Sequence, residues 1–179
     1  MPMSNPVYLI YGANGYTGEL IARAGVARGH RPILAGRSAA AVGALAQELG
    51  LEPRAFGLDD PRALDAGLAG AGLVLNCAGP FSRAAEPMAS ACLRLGAHYL
   101  DVTGEIPVFE MLARRHAAAQ EAGVMLLPGV GFDVVPSDCL AAHLKRRLPS
   151  ATHLRLAFQP GIGASRGTAT TMVEMRQRS

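Results

Sequence analysis

Val7-Tyr8-Leu9-Ile10-Tyr11 runs directly into Gly12-Ala13-Asn14-Gly15-Tyr16-Thr17-Gly18, a short apolar strand followed by three glycines spaced by threes. This junction reads as a phosphate-binding βα turn. Glycines let the backbone fold tightly and let a ligand approach closely, because no Cβ stands in the way. The helix that opens behind them offers N–H groups with no intrahelical partner and the positive end of its dipole, so the main chain itself can hold a pyrophosphate. The middle glycine departs by one residue from the G-x-G-x-x-G spacing, but the strand before and the helix after supply the context that motif requires. Close packing of helix on sheet would explain Gly18, though not Gly12 and Gly15 together. Asn14, Tyr16 and Thr17 are expected to add hydrogen bonds to the phosphates.

Outward from this turn the chain alternates strands with helices. Helical apolar spacing runs from Tyr16 to Arg28 and stops at Gly29; Pro32 to Ala35 is a second strand; Ala39 to Leu49 is a helix closed by Gly50. Arg54 to Leu58 reads as a weaker strand, with Asp59-Asp60-Pro61 starting a helix that extends to about Leu68. Leu73 to Cys77 is a continuous apolar run of the kind buried on both faces of a parallel sheet. A loop with Gly79-Pro80-Phe81, a helix around Met88 to Leu95, a strand His98 to Val102, a helix Pro107 to Ala122, a strand Val124 to Leu127 and a helix Pro136 to Leu148 complete the series. The pattern implies right-handed crossovers and an α/β, doubly wound parallel sheet in the dinucleotide-binding order 3-2-1-4-5-6. Gly12, Gly36, Asp59, Asn76, Asp101 and Pro128 then converge on the carboxyl rim, where such sheets bind ligands.

Residues 1–150 suffice for this Rossmann domain, and the pattern changes after it. Leu154 to Phe158 alternates like a half-buried strand, a Gly/Ser/Thr-rich loop follows, and a helix starts at about Thr170. Such pieces cannot bury their own apolar faces, so 151–179 reads as the opening of a second, incomplete α/β domain.

Composition narrows the function classes. Half of the 179 residues are hydrophobic, only 17% are charged, and the net charge is +3 from 17 basic and 14 acidic residues. Nucleic-acid binding wants basic residues gathered on one face with aromatics to stack bases, and here the charges are scattered. The cluster Lys145-Arg146-Arg147 lies at a helix C-terminus, where cations complement the dipole. Cys77, Cys92 and Cys139 are too far apart for a C-x-x-C pair, so reduced, buried thiols are expected rather than a disulfide framework or metal site. With no signal peptide or apolar span, the expectation is a cytoplasmic protein.

At the end of the second strand, where an acid would bind the ribose 2′-hydroxyl of NAD, the chain has Arg37. A guanidinium beside Ser38 suits a 2′-phosphate through paired charge-assisted hydrogen bonds, which favours NADP over NAD. Asp59 is read either as an acceptor for the adenine amine or as the cap of the helix at Pro61. Asn76, Ala78, Gly79 and Pro80 edge the topological switch, where small residues leave room for the pyrophosphate and nicotinamide ribose. Cys77 reads as core, since nothing nearby would lower its pKa. The Tyr-x-x-x-Lys pair of short-chain dehydrogenases is missing: the lone lysine, Lys145, has Ala141 four residues before it. Ser-His-Asp hydrolysis and metal catalysis have no recognisable arrangement either. The remaining polar candidates on the rim are His98, Asp101, Thr103, Glu105 and Asp133, each of which could instead cap a helix or satisfy loop amides.

The strings Tyr11 to Gly18, Leu34-Ala35-Gly36-Arg37, Asn76 to Phe81, His98 to Glu105 and Pro128 to Asp133 together resemble the saccharopine dehydrogenase-like family, almost end to end. Ser165-Arg166-Gly167-Thr168 is similar to its trans-acting enoyl reductase branch. The resemblance implies that the glycine turn, Arg37 and the Asn76 to Phe81 loop contact the cofactor and that Asp101, Glu105 and Asp133 face the substrate cleft. It also implies a second α/β domain contributing to the pocket and to homodimerisation. Saccharopine reductases carry a Ser-Tyr pair where this chain has Gly104-Glu105, which tilts the expectation away from amino-adipate chemistry.

The expected function is therefore hydride transfer between NADPH and a C=C or C=N bond of a small-molecule or carrier-linked substrate, enoyl reductase-like in preference to a saccharopine-type amino-acid dehydrogenase. A module that binds NADP without turnover is the alternative from a different class.

Overall fold

In the computed structural model, which describes residues 7–157, the first apolar run forms β1 (Tyr8–Tyr11). Leu9 and Tyr11 pack into one helical layer and Ile10 into the other, so the strand is buried on both faces. That is why it reads as continuous apolar sequence rather than an alternation. Five further strands follow: β2 (Ile33–Gly36), β3 (Pro53–Ala55), β4 (Leu73–Asn76), β5 (His98–Asp101) and β6 (Leu126–Leu127). All neighbours are parallel, and the order is β3-β2-β1-β4-β5-β6, as the alternation of elements implied.

The register sets the site. Ala35, Tyr11, Asn76 and Asp101 pair across four adjacent strands in one row near the carboxyl edge. The loops that leave this row therefore emerge side by side.

On one face lie α1 (Tyr16–Ala27) and α2 (Ala39–Leu49), whose Ala22, Val42, Leu45 and Ala46 pack on Ile10 and Leu34. The other face carries α3 (Pro61–Leu68), α4 (Phe81–Leu95) and α5 (Ile106–Ala113), which bury Leu64, Leu68, Met88, Val108 and Leu112 against Leu9, Val74 and Tyr99. Each such Leu or Met contributes roughly 1.5–3 kcal/mol when fully removed from water. The short α6 (His116–Ala122) and the longer α7 (Val135–Arg147) are the remaining helices of the described residues.

The structure departs from the sequence reading at several points. First, α4 begins at Phe81 rather than near Met88, and Pro87 lies inside it. An interior proline costs about 3 kcal/mol in an isolated helix, but Ala84, Ala85, Met88, Ala89, Ala91 and Cys92 are all buried on this one helix, and that packing outweighs the local penalty. Second, the expected helix from Pro107 to Ala122 is broken at Arg114 and Arg115. The Arg115 guanidinium donates to Ser90 Oγ and Glu86 Oε1 on α4 at 2.8 and 2.7 Å, a pull on the chain from outside its own helix.

Third, Asp60 rather than Asp59 caps α3, its carboxylate accepting from Arg62 N at 2.9 Å. Fourth, residues 151–157 have no regular structure where a strand was expected, and Phe158, Ser165 to Thr168 and the expected helix at Thr170 lie outside the described residues. Cys139 is exposed, against the expectation that all three thiols are buried. Among the described residues no helix is long and apolar enough to cross a membrane.

Candidate functional site

The three glycines of the first turn converge on a single atom, the carbonyl oxygen of Gly12. That oxygen accepts from Gly15 N at 3.0 Å, a Cβ on Gly15 would stand 3.2 Å from it, and a Cβ on Gly18 would collide with it. Gly12 itself has φ +78, and a Cβ there would meet Ala78 N at 2.9 Å, so the turn is pressed against the loop after β4. Gly12 N and Ala13 N donate to Ala35 O at 2.8 and 3.1 Å, which fixes the turn to β2 as well.

Behind this turn α1 starts without a side-chain cap. Gly15 occupies the N-cap position, and Asn14, Gly15 and Tyr16 are exposed. The start of the helix thus offers main-chain donors and positive dipole at an open surface, with no Cβ projecting over them from residues 12, 15 or 18. An anion of pyrophosphate size fits this cradle.

At the end of β2, the Asn14 side chain lies over Gly36, where a Cβ would come within 3.0 Å of Asn14 Oδ1. Arg37 is exposed and makes no ion pair among the described residues. Asp59 is exposed too, and both charges act on the hydroxyl of Tyr11 beneath them. Burial raises the Tyr11 pKa most, Arg37 lowers it and Asp59 raises it. That hydroxyl donates to Phe56 O at 3.1 Å, tying the row under Arg37 to the end of β3. Ser38 is already in use, accepting from Ala41 N at 3.3 Å as the cap of α2.

The ends of β4, β5 and β6 are joined by buried hydrogen bonds. Asn76 Oδ1 accepts from Ala78 N at 3.0 Å, and its Nδ2 donates to Tyr99 Oη at 3.4 Å. Tyr99 in turn donates to Asp101 Oδ2 at 2.7 Å, while Asp101 Oδ1 accepts from Thr103 N and Gly129 N at 3.0 and 2.9 Å. Thr103 Oγ1 accepts from Glu105 N at 3.0 Å. The Glu105 carboxylate then reaches back to the start of α4, where its two oxygens accept from Phe81 N and Ser82 N, each at 3.1 Å. The loop after β4 is thus held at both ends. Its Gly79–Pro80 peptide is cis.

Burial raises the Asp101 pKa, opposed by the bonds from Tyr99, Gly129 and Thr103. Burial also raises Tyr99, and the nearby Asp101 adds to the effect. Cys77 is pushed up to about 12 by burial first and by Asp101 second, so its thiol is not a nucleophile near neutral pH.

Of the three carboxylates expected to face a substrate, Asp101 and Glu105 turn inward to backbone amides, because three loops meet there and leave N–H groups that need acceptors. Asp133 alone is exposed, with its Cβ 3.6 Å from where a Cβ on Gly104 would stand. His98 is not on the rim at all: it opens β5 at the opposite end of the strand, where its Nδ1 accepts from Met125 N at 3.0 Å. Tyr99 is the member of the network that the sequence reading missed. Its place two residues before Asp101, on the same side of a strand, was the available signal. Among the described residues no group of His, Cys, Asp and Glu is arranged to hold a metal ion.

Residues 8–127 match the family described as the saccharopine dehydrogenase NADP binding domain. The chain is 33% identical over 151 residues to the trans-acting enoyl reductase of Mycobacterium tuberculosis, an alignment that covers 78% of this chain and 35% of that protein. A putative trans-acting enoyl reductase of the same organism is 36% identical over 141 residues, covering 73% of this chain and 33% of its own. The chain therefore spans about a third of the length of the curated relatives it matches. In fold it is similar to apo saccharopine dehydrogenase (L-Glu forming) from Saccharomyces cerevisiae, with a TM-score of 0.71 at 18% identity over 81% of this chain and 32% of that one. Triphenylmethane reductase from Citrobacter sp., solved with NADP(H), has a TM-score of 0.51 at 19% identity over 65% of this chain and 46% of its own.

Proposed function

Because the chain belongs to the saccharopine dehydrogenase NADP-binding family, we propose that it is the cofactor domain of an NADPH-dependent reductase acting on the C=C bond of an enoyl substrate, free or carrier-linked. The observation that carries this reading is the uncapped start of α1 over a cradle without Cβ atoms, with the exposed Arg37 at the end of the neighbouring strand. The relatives named as enoyl reductases favour C=C over C=N.

Each residue then has a task. The amides at the start of α1 hold the pyrophosphate, and Gly12, Gly15 and Gly18 keep the surface before them clear. Asn14 lies over Gly36 where the adenosine ribose would enter, and Tyr16 and Thr17 add contacts from the first turn of the helix. Arg37 binds the 2′-phosphate through charge-assisted hydrogen bonds, while Asp59 flanks the adenine. Asn76, Ala78, Gly79 and Pro80 form the floor under the other half of the dinucleotide. When bound, NADPH supplies the hydride. The protein contributes orientation and exclusion of water, with Asp133 as the carboxylate facing the substrate and Asp101 and Glu105 holding the loops beneath it.

We assign residues 151–179 to the opening of a second domain that would complete the substrate pocket and carry a homodimer contact. The state of α7 supports this: none of its residues is buried, its Leu140 is 53% exposed, and Phe132 before it and Leu148 after it are 79% and 59% exposed.

Titration of the chain with NADPH and NADH tests the cofactor assignment. NADPH is expected to bind more tightly, and Arg37→Ala to remove most of the difference, about tenfold or more for a lost charge-assisted pair of hydrogen bonds. Equal affinity for the two nucleotides in the unaltered chain would overturn the 2′-phosphate assignment.

A further inference from the structure

We propose that Glu105 is a positioning residue for the nicotinamide half of the cofactor, acting through the β4–α4 loop rather than by contact with substrate; the inference rests on the NADP reading above. In this strand order a dinucleotide lies across the switch between β1 and β4, with its adenosine half over β2 and its other half over the loop after β4. That loop, Cys77 to Pro80, is short: Cys77 N donates to Tyr11 O at 2.8 Å where it leaves the sheet, and Pro80 O accepts from Arg83 N and Ala84 N within the first turn of α4. Ala78 N is taken up by Asn76 at one end, and Phe81 N and Ser82 N are taken up by Glu105 at the other. Glu105 belongs to a different loop, the one after β5, and is itself placed by Thr103 Oγ1 and through it by Asp101. The height of the β4–α4 loop is thus set by the end of β5.

A glutamate suits this position for two reasons. Its two oxygens satisfy two adjacent amides at once, and its charge is favourable at a helix N-terminus. It has a second effect on ligand placement. The start of α4 would otherwise be a second anion site on the same rim, and a carboxylate of the chain fills it. Of the two helix starts that flank the β1–β4 switch, only that of α1 is left for a pyrophosphate, which fixes one direction for the dinucleotide.

The test separates the two halves of the ligand. NADPH and adenosine 2′,5′-bisphosphate, which carries the adenosine half without nicotinamide, are titrated against the 179-residue chain and its Glu105→Ala and Glu105→Gln variants, with thermal melting recorded alongside. The expected result for Glu105→Ala is about a tenfold loss of NADPH affinity with the bisphosphate changed less than about twofold, because one freed loop end costs about the value of a hydrogen bond to a charged group. Glu105→Gln keeps one acceptor oxygen and should fall between, at about threefold. Equal loss for both ligands would mean general loosening, and no loss for either would mean the loop holds itself; both overturn the proposal. Should the alanine variant fail to fold, the same ratio in the glutamine variant decides. An unaltered chain that binds neither ligand would overturn the NADP reading itself, a result distinct from the others.

Discussion

A Cβ on Gly18 would collide with the Gly12 carbonyl oxygen, so the first turn of α1 and the turn after β1 are in contact with nothing between them. Gly18→Ala must therefore push the helix away from the turn. The expected effect is a loss of about 1–3 kcal/mol in stability, as for other overpacked sites, together with weaker NADPH binding. Gly43→Ala is the control. It lies inside α2 with nothing within 4 Å of its Cβ position, so it should stabilise the chain by about 0.5–1 kcal/mol and leave binding unchanged. Urea denaturation of the two variants measures both, and a Gly18→Ala variant as stable as the parent would contradict the packing described.

Ser38 distinguishes a helix cap from a phosphate ligand. Its hydroxyl accepts from Ala41 N, so Ser38→Ala should lower stability by about 1 kcal/mol through the exposed start of α2. Its effect on the ratio of NADPH to NADH affinity should be small beside that of Arg37→Ala. A loss of NADPH preference in Ser38→Ala as large as that in Arg37→Ala would show that the hydroxyl leaves its cap to bind the ligand.

The parts legible in the sequence were those whose causes are local. Leu9, Ile10 and Tyr11 announce a strand buried on both faces, Gly50 ends its helix in the left-handed conformation, and the glycine turn combines its spacing with its place between strand and helix. What stayed hidden depends on residues distant in the chain. The true start of α4 is stabilised by Glu105, 24 residues beyond Phe81, and the break between α5 and α6 by the reach of Arg115 to Ser90 and Glu86. Asp101 and Glu105 were recognised as rim carboxylates, but their inward orientation follows from backbone amides that only the folded loops bring together. The choice between Asp59 and Asp60 as cap turned on one residue, finer than sequence periodicity resolves.

Asp101 gives stability a pH dependence of definite sign. Burial raises its pKa in the folded chain, so the folded state holds this proton to higher pH than the unfolded state does. In the window above the ordinary carboxyl pKa of about 4, folding takes up a proton and this group's contribution to stability is lost as pH rises. Glu48 and Asp65 have pKa values lowered by Arg23 and Arg94 and act in the opposite sense, but they are present in parent and variant alike. Asp101→Asn keeps an oxygen acceptor for Thr103 N and Gly129 N and abolishes the titration. The stability difference, variant minus parent, should therefore grow in the variant's favour between pH 4 and pH 7 when measured by urea denaturation at each pH. A difference that stays constant would show that Asp101 does not titrate in that window.

The cysteines report on the loop that Glu105 holds. Cys139 is exposed on α7, whereas burial pushes the thiols of Cys77 and Cys92 each up to about 12. At pH 8 a thiol reagent such as Ellman's should modify Cys139 quickly and the other two only as the structure opens. Their openings differ in kind. Cys92 lies fully buried on α4 among core side chains and requires a large disruption, while Cys77, the first residue of the β4–α4 loop, is half-buried against the edge of the Ile10 layer and requires a smaller opening at that loop. In Glu105→Ala the loop loses two bonds to a charged acceptor at its far end. Even one such bond contributes about 1.5–3 kcal/mol, so Cys77 should label at least about tenfold faster, and about a hundredfold or more if the loss of both is felt in full, with Cys92 unchanged. Labelling resolved by mass spectrometry checks it. Parallel acceleration of both thiols would mean that Glu105 supports the whole fold rather than the one loop, because only a local opening exposes Cys77 without Cys92.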